Sequence, residues 1–237
     1  MTCLLCGSTD NRRIGKKNGY GLVECGECGL RFADPMPSAA DLDALYSEYA
    51  SNPSYSSKAA KKVARTSRRL KRYMHMAPGN NFLDLGCNVG TGVEAARLLG
   101  LDAHGIDVGE ESIMLARELF PLGKYHAGPI EDIPAEWGAF DFVYTSEVIE
   151  HLPELRNYFT SLAARMKPGA LIYITTPDAS HWRVPADFAS WDEVRPPEHI
   201  HFFNRKSLTR LLAQHGLDIV KFEWAMKPGL KALARKR

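Results

Sequence analysis

Phe82-Leu83-Asp84-Leu85-Gly86-Cys87-Asn88-Val89-Gly90-Thr91-Gly92 reads as an apolar strand, a glycine-rich turn and the start of a helix. Glycines let a backbone approach a ligand with no Cβ in the way. The helix that follows offers free N–H groups at its first turn. His104-Gly105-Ile106-Asp107 is a second short apolar strand, ending in a carboxylate twenty-one residues beyond Gly86. A carboxylate at that place can hold both hydroxyls of a ribose. The pattern points to a nucleoside-bearing cofactor.

Two cofactor types would use such a turn: a dinucleotide and S-adenosylmethionine (SAM). The glycine spacing is not the G-x-G-x-x-G of dinucleotide sites. Asp84 lies within the motif, where a carboxylate repels a pyrophosphate but suits a cationic methionine moiety. The chain closes on a hairpin pattern, Leu217–Trp224 and Leu230–Ala234 around Lys227-Pro228-Gly229, and not on a second mononucleotide half. All three features favour SAM.

Around this core, 237 residues suffice for one large domain and a small appendage. The net charge of +2 gives no general attraction to nucleic acid or membrane. No apolar run is long enough to span a bilayer, and the N-terminus lacks a signal-peptide layout, so a cytoplasmic protein is expected. The appendage is residues 1–33. Cys3-Leu4-Leu5-Cys6 and Cys25-Gly26-Glu27-Cys28 are C-x2-C knuckles with 18 residues between them. Four thiolates at that spacing close a tetrahedral zinc shell with no open position, which predicts a structural zinc ribbon. The fifth cysteine, Cys87, reads as a packing residue of the turn.

Residues 34–76 read as a linker with lid helices. Ser38 and Asp41 mark a helix start before Leu42–Tyr49, and Tyr46, Tyr49 and Tyr55 flank a polar loop. Lys58 to Arg72 carries eight basic residues and no acidic one: either a solvated helix with Val63 and Leu70 inward, or a phosphate-attracting surface. In 77–237, strands are expected at Phe82–Leu85, Ala103–Ile106, Tyr125–Ala127, Phe140–Thr145 and Leu171–Thr175, with helices at Glu110–Glu118 and Leu155–Met166. Lys167-Pro168-Gly169 ends the latter, and Asn204 caps a helix running to His215. The alternation predicts an α/β fold with a parallel sheet.

LDLGCNVG, GID, FDFVYTSEVIEHL and MKPGALIYITTP, in this order, resemble the class I SAM-dependent methyltransferases. The resemblance runs from Phe82 to the C-terminus. It implies a Rossmann-like sheet of seven strands, mostly parallel with the last antiparallel. It also implies a cofactor site of Asp84, Gly86, Cys87, Asn88 and Gly90 at the methionine end and Asp107 and Val108 at the ribose. Ile130 and Glu131 would lie by the adenine, and Ser146 and Glu147 would line the pocket. The chain departs from the family at Asn88, usually glycine, and at Pro129, where many relatives are acidic. The ribbon, the tyrosines and Pro197-Glu198-His199-Ile200-His201-Phe202-Phe203 resemble a bacterial subgroup tied to sugar or polysaccharide modification.

Methyl transfer to a hydroxyl needs a positioned nucleophile and a base for its proton. Glu147, Glu150 and His151 would share one face of a helix. They could bind a divalent ion, and their E-x-x-E-H pattern resembles quinol O-methyltransferases, some of which use Mg2+. The alternative is a capping or ion-paired Glu150 and a packed His151. His199 and His201 would share a face of an extended chain, with His199 the favoured base or substrate ligand. Trp182 and Trp191 would wall the acceptor or pack a lid.

The expected activity is therefore SAM-dependent methylation of a small molecule, foremost a sugar or polysaccharide-precursor hydroxyl, with nucleotide-linked sugars and glycans among the candidates. A quinol or phenol is the alternative. A zinc-ribbon RNA methyltransferase is another, favoured by the basic run and the basic tail Lys231–Arg237. A non-enzymatic adaptor is disfavoured by the intact Asp84, Gly86, Gly90 and Asp107.

Overall fold

The structure, a computed structural model, describes residues 2–38, 41 and 59–237. The expected helix at Leu42–Tyr49, its tyrosines and the polar loop after it lie outside the described residues. The chain opens with β1 (Asn11–Lys17), β2 (Tyr20–Cys25) and β3 (Arg31–Asp34), an antiparallel meander with the second cysteine knuckle at the turn from β2 to β3. Helix α1 (Ala59–Tyr73) turns Val63, Leu70 and Tyr73 inward and leaves Lys61, Arg65 and Arg68 in solvent. Then β4 (Asn81–Leu85), α2 (Thr91–Arg97), β5 (Asp102–Asp107), α3 (Glu110–Leu119) and β6 (Lys124–Ala127) alternate. They are followed by β7 (Phe140–Ser146), α4 (Leu155–Ala164), β8 (Met166–Thr176), β9 (His201–Phe202), α5 (Arg205–Gln214), β10 (Leu217–Phe222) and β11 (Leu230–Lys236).

Seven strands form one sheet in the order β10-β11-β8-β7-β4-β5-β6. From β8 to β6 every pairing is parallel, while β11 runs antiparallel to both β8 and β10. Such a sheet must be covered on both faces, so its central strands are continuously apolar. Phe82, Leu83, Phe140, Phe142 and Val143 are all buried. The chain order reverses between β4 and β7, so a crevice opens at the carboxyl ends of those two strands.

The expected strands and the Rossmann-like α/β arrangement are present, with three local corrections. Helix α4 stops at Ala164, because Met166 is already buried in the sheet; Lys167-Pro168-Gly169 is the irregular first part of β8, with Gly169 at φ +78°. Lys231–Arg237 is no free tail. It forms β11, with the Lys236 ammonium donating to the Ala163 and Met166 carbonyls at 2.6 and 2.7 Å. Glu147–His151 is a turn, not a helix, with Glu147 at φ +57°.

The ribbon does not stand apart. β9 adds a fourth strand to it, pairing Phe202 with Arg31 and His201 with Phe32. Cys3, Cys25, Cys28, Leu30 and Phe32 share a core with Phe203, Leu208 and Leu211. Asn204 caps α5 as expected, bonding the Ser207 N–H at 2.8 Å, and also donates to the Gly29 carbonyl at 2.7 Å.

Helix α1 is fastened to the closing hairpin through Glu223, which accepts from the hydroxyls of Tyr73 (2.5 Å) and Tyr173 (2.8 Å) and pairs with Arg72 (2.9 Å). Burial pushes the Glu223 carboxyl up, but these three partners outweigh it and hold it below its ordinary value of 4.5. A carboxylate with a depressed value stabilises the fold above its unfolded pKa and loses that effect as acid protonates it. Glu223→Ala, which strands the fully buried Tyr173, is expected to cost about 2 kcal/mol at pH 7 in urea unfolding. The difference from the parent should shrink below pH 4.5; an equal cost at pH 7 and pH 3.5 contradicts this anchoring role.

Candidate active site

The turn after β4 is held in a left-handed path by sterics and by one carboxylate. Gly86 and Gly90 sit at φ +72° and +77°. A Cβ at Gly86 would meet Val148 Cγ2 at 2.4 Å, and one at Gly90 the Tyr125 hydroxyl at 2.7 Å. Asn88 adopts φ +47°, which asparagine tolerates better than most residues. Its side-chain oxygen accepts from the Val89 N–H at 2.8 Å. Asp107, at the end of β5, accepts from the Asn88 N–H (2.8 Å) and the Gly109 N–H (2.9 Å). It thereby fixes the glycine turn to the entry of α3.

Asp84 is buried beneath this turn. Burial first, then the neighbouring Asp107 charge, pushes its carboxyl up to about 8. Cys87 is buried, and burial raises its thiol well above its usual range, so it packs as a neutral group. Val108, beside Asp107, is 58% exposed on the rim of the crevice. Ile130 is buried under the loop after β6, whereas Glu131 turns outward and accepts from Ser161 at 3.0 Å.

Across the crevice, the turn after β7 and the segment Trp191–Ile200 face each other. Ser146 and Glu147 are both bonded to the Thr175 hydroxyl, at 2.7 and 2.8 Å. Glu150 is fully buried; one carboxylate oxygen accepts from Thr176 at 2.9 Å and the other has no partner among the described residues. Burial above all, with the nearby Glu147 charge, raises this carboxyl, so it holds its proton. His151 bonds the Glu198 carbonyl through Nδ1 at 2.9 Å. That nitrogen is therefore the donor, and the Nε2 lone pair has no partner among the described residues. His199 stacks edge-on against His151 at 4.7 Å. Both its nitrogens are engaged, Nδ1 with the Glu193 carbonyl (2.7 Å) and Nε2 with the Arg195 guanidinium (3.0 Å). Burial, helped by His151 and Arg195, lowers His199 to about 3.

The expected His199–His201 pair is split. His201 is fully buried in β9 beside Phe203, its rings 6.1 Å apart. The two tryptophans divide likewise: Trp191 is buried against Phe188 and Phe202, while Trp182 is 73% exposed. At the far end of β3, the sulfurs of Cys3, Cys6, Cys25 and Cys28 all lie within 4.8 Å of one another, with Cys3–Cys28 at 3.7 Å and Cys6–Cys25 at 3.5 Å. Tetrahedral Zn–S bonds of about 2.3 Å require sulfurs about 3.8 Å apart. The cluster is compatible with a zinc ribbon.

A family model described as a methyltransferase domain matches residues 54–221. The chain belongs to that family. Its sheet is that of the class I SAM-dependent methyltransferases. The magnesium protoporphyrin IX methyltransferase of Synechocystis PCC 6803, solved with bound S-adenosylhomocysteine, overlays with a TM-score of 0.58 at 14% identity, covering 84% of this chain and 95% of that one. The ubiquinone biosynthesis O-methyltransferase of Bordetella avium is 35% identical over 103 residues, 41% of this chain and 43% of the relative. That of Xanthomonas campestris pv. campestris is 34% identical over 117 residues, 47% of each. The chain thus spans less than half the length of the curated relatives it matches.

Four residues at the site are not singled out as functional in the sequence, although Thr175 and Thr176 lie within MKPGALIYITTP. Thr175 and Thr176 anchor the two glutamates, and Arg195 and Glu193 fix His199. Only the spacing of Arg195-Pro196-Pro197-Glu198-His199, a tight turn returning four residues on, hints at the arginine. The protonated Asp84 has a measurable consequence. An acid whose pKa is raised on folding weakens the fold as pH climbs past its unfolded value. Asp84→Asn is expected to raise stability of the unliganded protein by about 1–3 kcal/mol at pH 8 and by almost nothing at pH 4; thermal unfolding at both pH values checks it.

Proposed function

We propose that this chain moves the methyl group of SAM to a hydroxyl of a small-molecule acceptor, a quinol or phenol. The observation that carries the reading is the pair of walls at one switch-point crevice. One wall is the Asp107-stapled glycine turn; the other is His151, with a fixed tautomer and an open Nε2. Gly86–Gly90 and Asp84 would receive the methionine end of SAM. Asp107 spends one bond on each oxygen and keeps lone pairs for the ribose hydroxyls. Val108 and Ile130 would flank the adenine. His199, with both nitrogens engaged, would position His151, which takes the acceptor proton. Zinc is proposed for the four cysteines. The quinol or phenol acceptor draws on the names of the ubiquinone biosynthesis relatives. No helix among the described residues is long and apolar enough to cross a membrane.

A sugar hydroxyl is the second reading. A polar cavity of about 540 Å3, lined by Arg12, Glu24, Arg31, Ser180 and His181, opens where the ribbon meets the chain beyond β8. Its size is that of an ordinary ligand pocket. Glu150, His151 and His199 also place one ligand atom each within 4.8 Å of one another, but an ion there would have to displace the Glu150 proton and a His199 partner.

Calorimetry with S-adenosylhomocysteine is expected to show binding that Asp107→Ala weakens at least about tenfold, roughly 1.4 kcal/mol. No binding by the parent chain would sink the reading. In a labelled-SAM screen over catechols, quinols and nucleotide sugars, His151→Ala should lose about a hundredfold in rate with unchanged S-adenosylhomocysteine affinity. Burial lowers His151 from 6.5, so it is neutral throughout the neutral range and the rate should fall only in acid below that value. If a bound Mg2+ activates the hydroxyl instead, added Mg2+ will raise the rate severalfold.

A further inference from the structure

Among the described residues, the ribbon's hydrogen bonds reach one half of the crevice and not the glycine turn or Asp107. Its Ala33 N–H donates to the Ile200 carbonyl at 2.9 Å, extending the β3–β9 pairing. Asn18 donates to the Pro196 carbonyl at 2.9 Å, and the Lys17 ammonium to the Trp191 carbonyl at 3.1 Å. Arg31 donates to the Ala179 carbonyl at 3.1 Å and lies 4.4 Å over the Phe188 ring. Each of these bonds lands on the segment that carries Glu193, Arg195, Glu198 and His199, or on its flank. That segment in turn grips the turn after β7: the Ile200 and His201 N–H groups both donate to the Glu150 carbonyl, at 2.9 and 3.1 Å. The glycine turn and Asp107 are instead fixed by bonds within β4, β5 and their own loops.

We propose that the metal-loaded ribbon is a positioning module for the acceptor wall, and that the SAM wall is built without it. A unit of about 33 residues is too small to hold its fold by burial alone and needs its metal to do so. Loss of the ion therefore frees β3. With β3 gone, β9 loses its only neighbour in the small sheet among the described residues, and Trp191–His199 loses the Lys17 and Asn18 clamps. His151 then loses its Nδ1 acceptor, the Glu198 carbonyl, and with it the fixed tautomer. Asn18 and Lys17 are positioning residues in this scheme; neither touches the crevice residues through its own side chain except by way of the Trp191–Pro196 backbone. The catalytic consequence rests on the proposed methyl transfer, but the coupling itself is a property of the fold.

The test uses the full-length chain, with and without zinc(II), and reads amide hydrogen exchange by mass spectrometry beside S-adenosylhomocysteine calorimetry. The zinc-free protein is expected to exchange at least about tenfold faster across 191–204, with 84–92 and 104–109 unchanged and S-adenosylhomocysteine affinity within about twofold. Re-addition of zinc(II) should restore protection. Asn18→Ala, with its zinc content intact, should show the same acceleration confined to 194–199. Unchanged exchange across 191–204 without zinc overturns the proposal. So does joint loss of protection at 84–92, which would make the ribbon a support for the whole domain. If the zinc-loaded protein binds no S-adenosylhomocysteine, the methyl-transfer reading fails, while the exchange pattern still decides the coupling.

Discussion

One carbonyl joins the two halves of the site. The Glu150 oxygen receives two N–H groups, from Ile200 and His201, and with the His151–Glu198 bond beside it this ties the turn after β7 to the chain coming off β8. Both donors precede or begin β9, the strand that completes the ribbon. Because the carbonyl belongs to a buried residue, leaving it unpaired would cost a full desolvation penalty. At this point the turn is held to the chain that enters the ribbon sheet.

The electrostatics of the two walls are opposite in kind. Asp84 is a buried carboxyl that its own burial and, second, the neighbouring Asp107 charge push up to about 8, and burial raises the half-buried Asp107 as well. A sulfonium or ammonium beside them would relieve that repulsion and draw the proton off, so the wall is best satisfied by a cation. The proposed acceptor wall instead collects neutral imidazoles. Burial lowers His151, His199 and His201 alike, and Glu150 keeps its proton. Neutral groups beside an incoming hydroxyl can take its proton without first shedding one of their own.

The sequence was a good guide where local chemistry decides the outcome. Phe82–Gly92 forms its strand and turn because β-propensity, glycine at positive φ and a helix start all agree. Asn204 caps α5 for the same local reason. The readings that fail are those that tertiary contacts override. Glu147–His151 has helical spacing, yet it is a turn because Thr175 and Thr176 pull the two glutamates toward β8. Met166 looks like the end of a helix and is the first residue of a sheet strand. His199 and His201 alternate in sequence but part company where β9 enters the ribbon. Trp182 and Trp191 look equivalent, and only the packing of Phe188 and Phe202 buries one of them. No local pattern foretells that the ribbon borrows a strand from the catalytic domain.

The most direct test is a crystal structure with S-adenosylhomocysteine, in which the distance from its sulfur to His151 Nε2 is measured. Nucleophile, methyl carbon and sulfur must lie in line, with the nucleophile within about 3–3.5 Å of the methyl carbon and the base within hydrogen-bond reach of the nucleophile. The predicted separation is therefore about 6–8 Å, with the sulfur's open face toward His151. A sulfur whose open face points away from the Glu150–His151–His199 wall, or lies well beyond that distance, would contradict the assignment of the two walls.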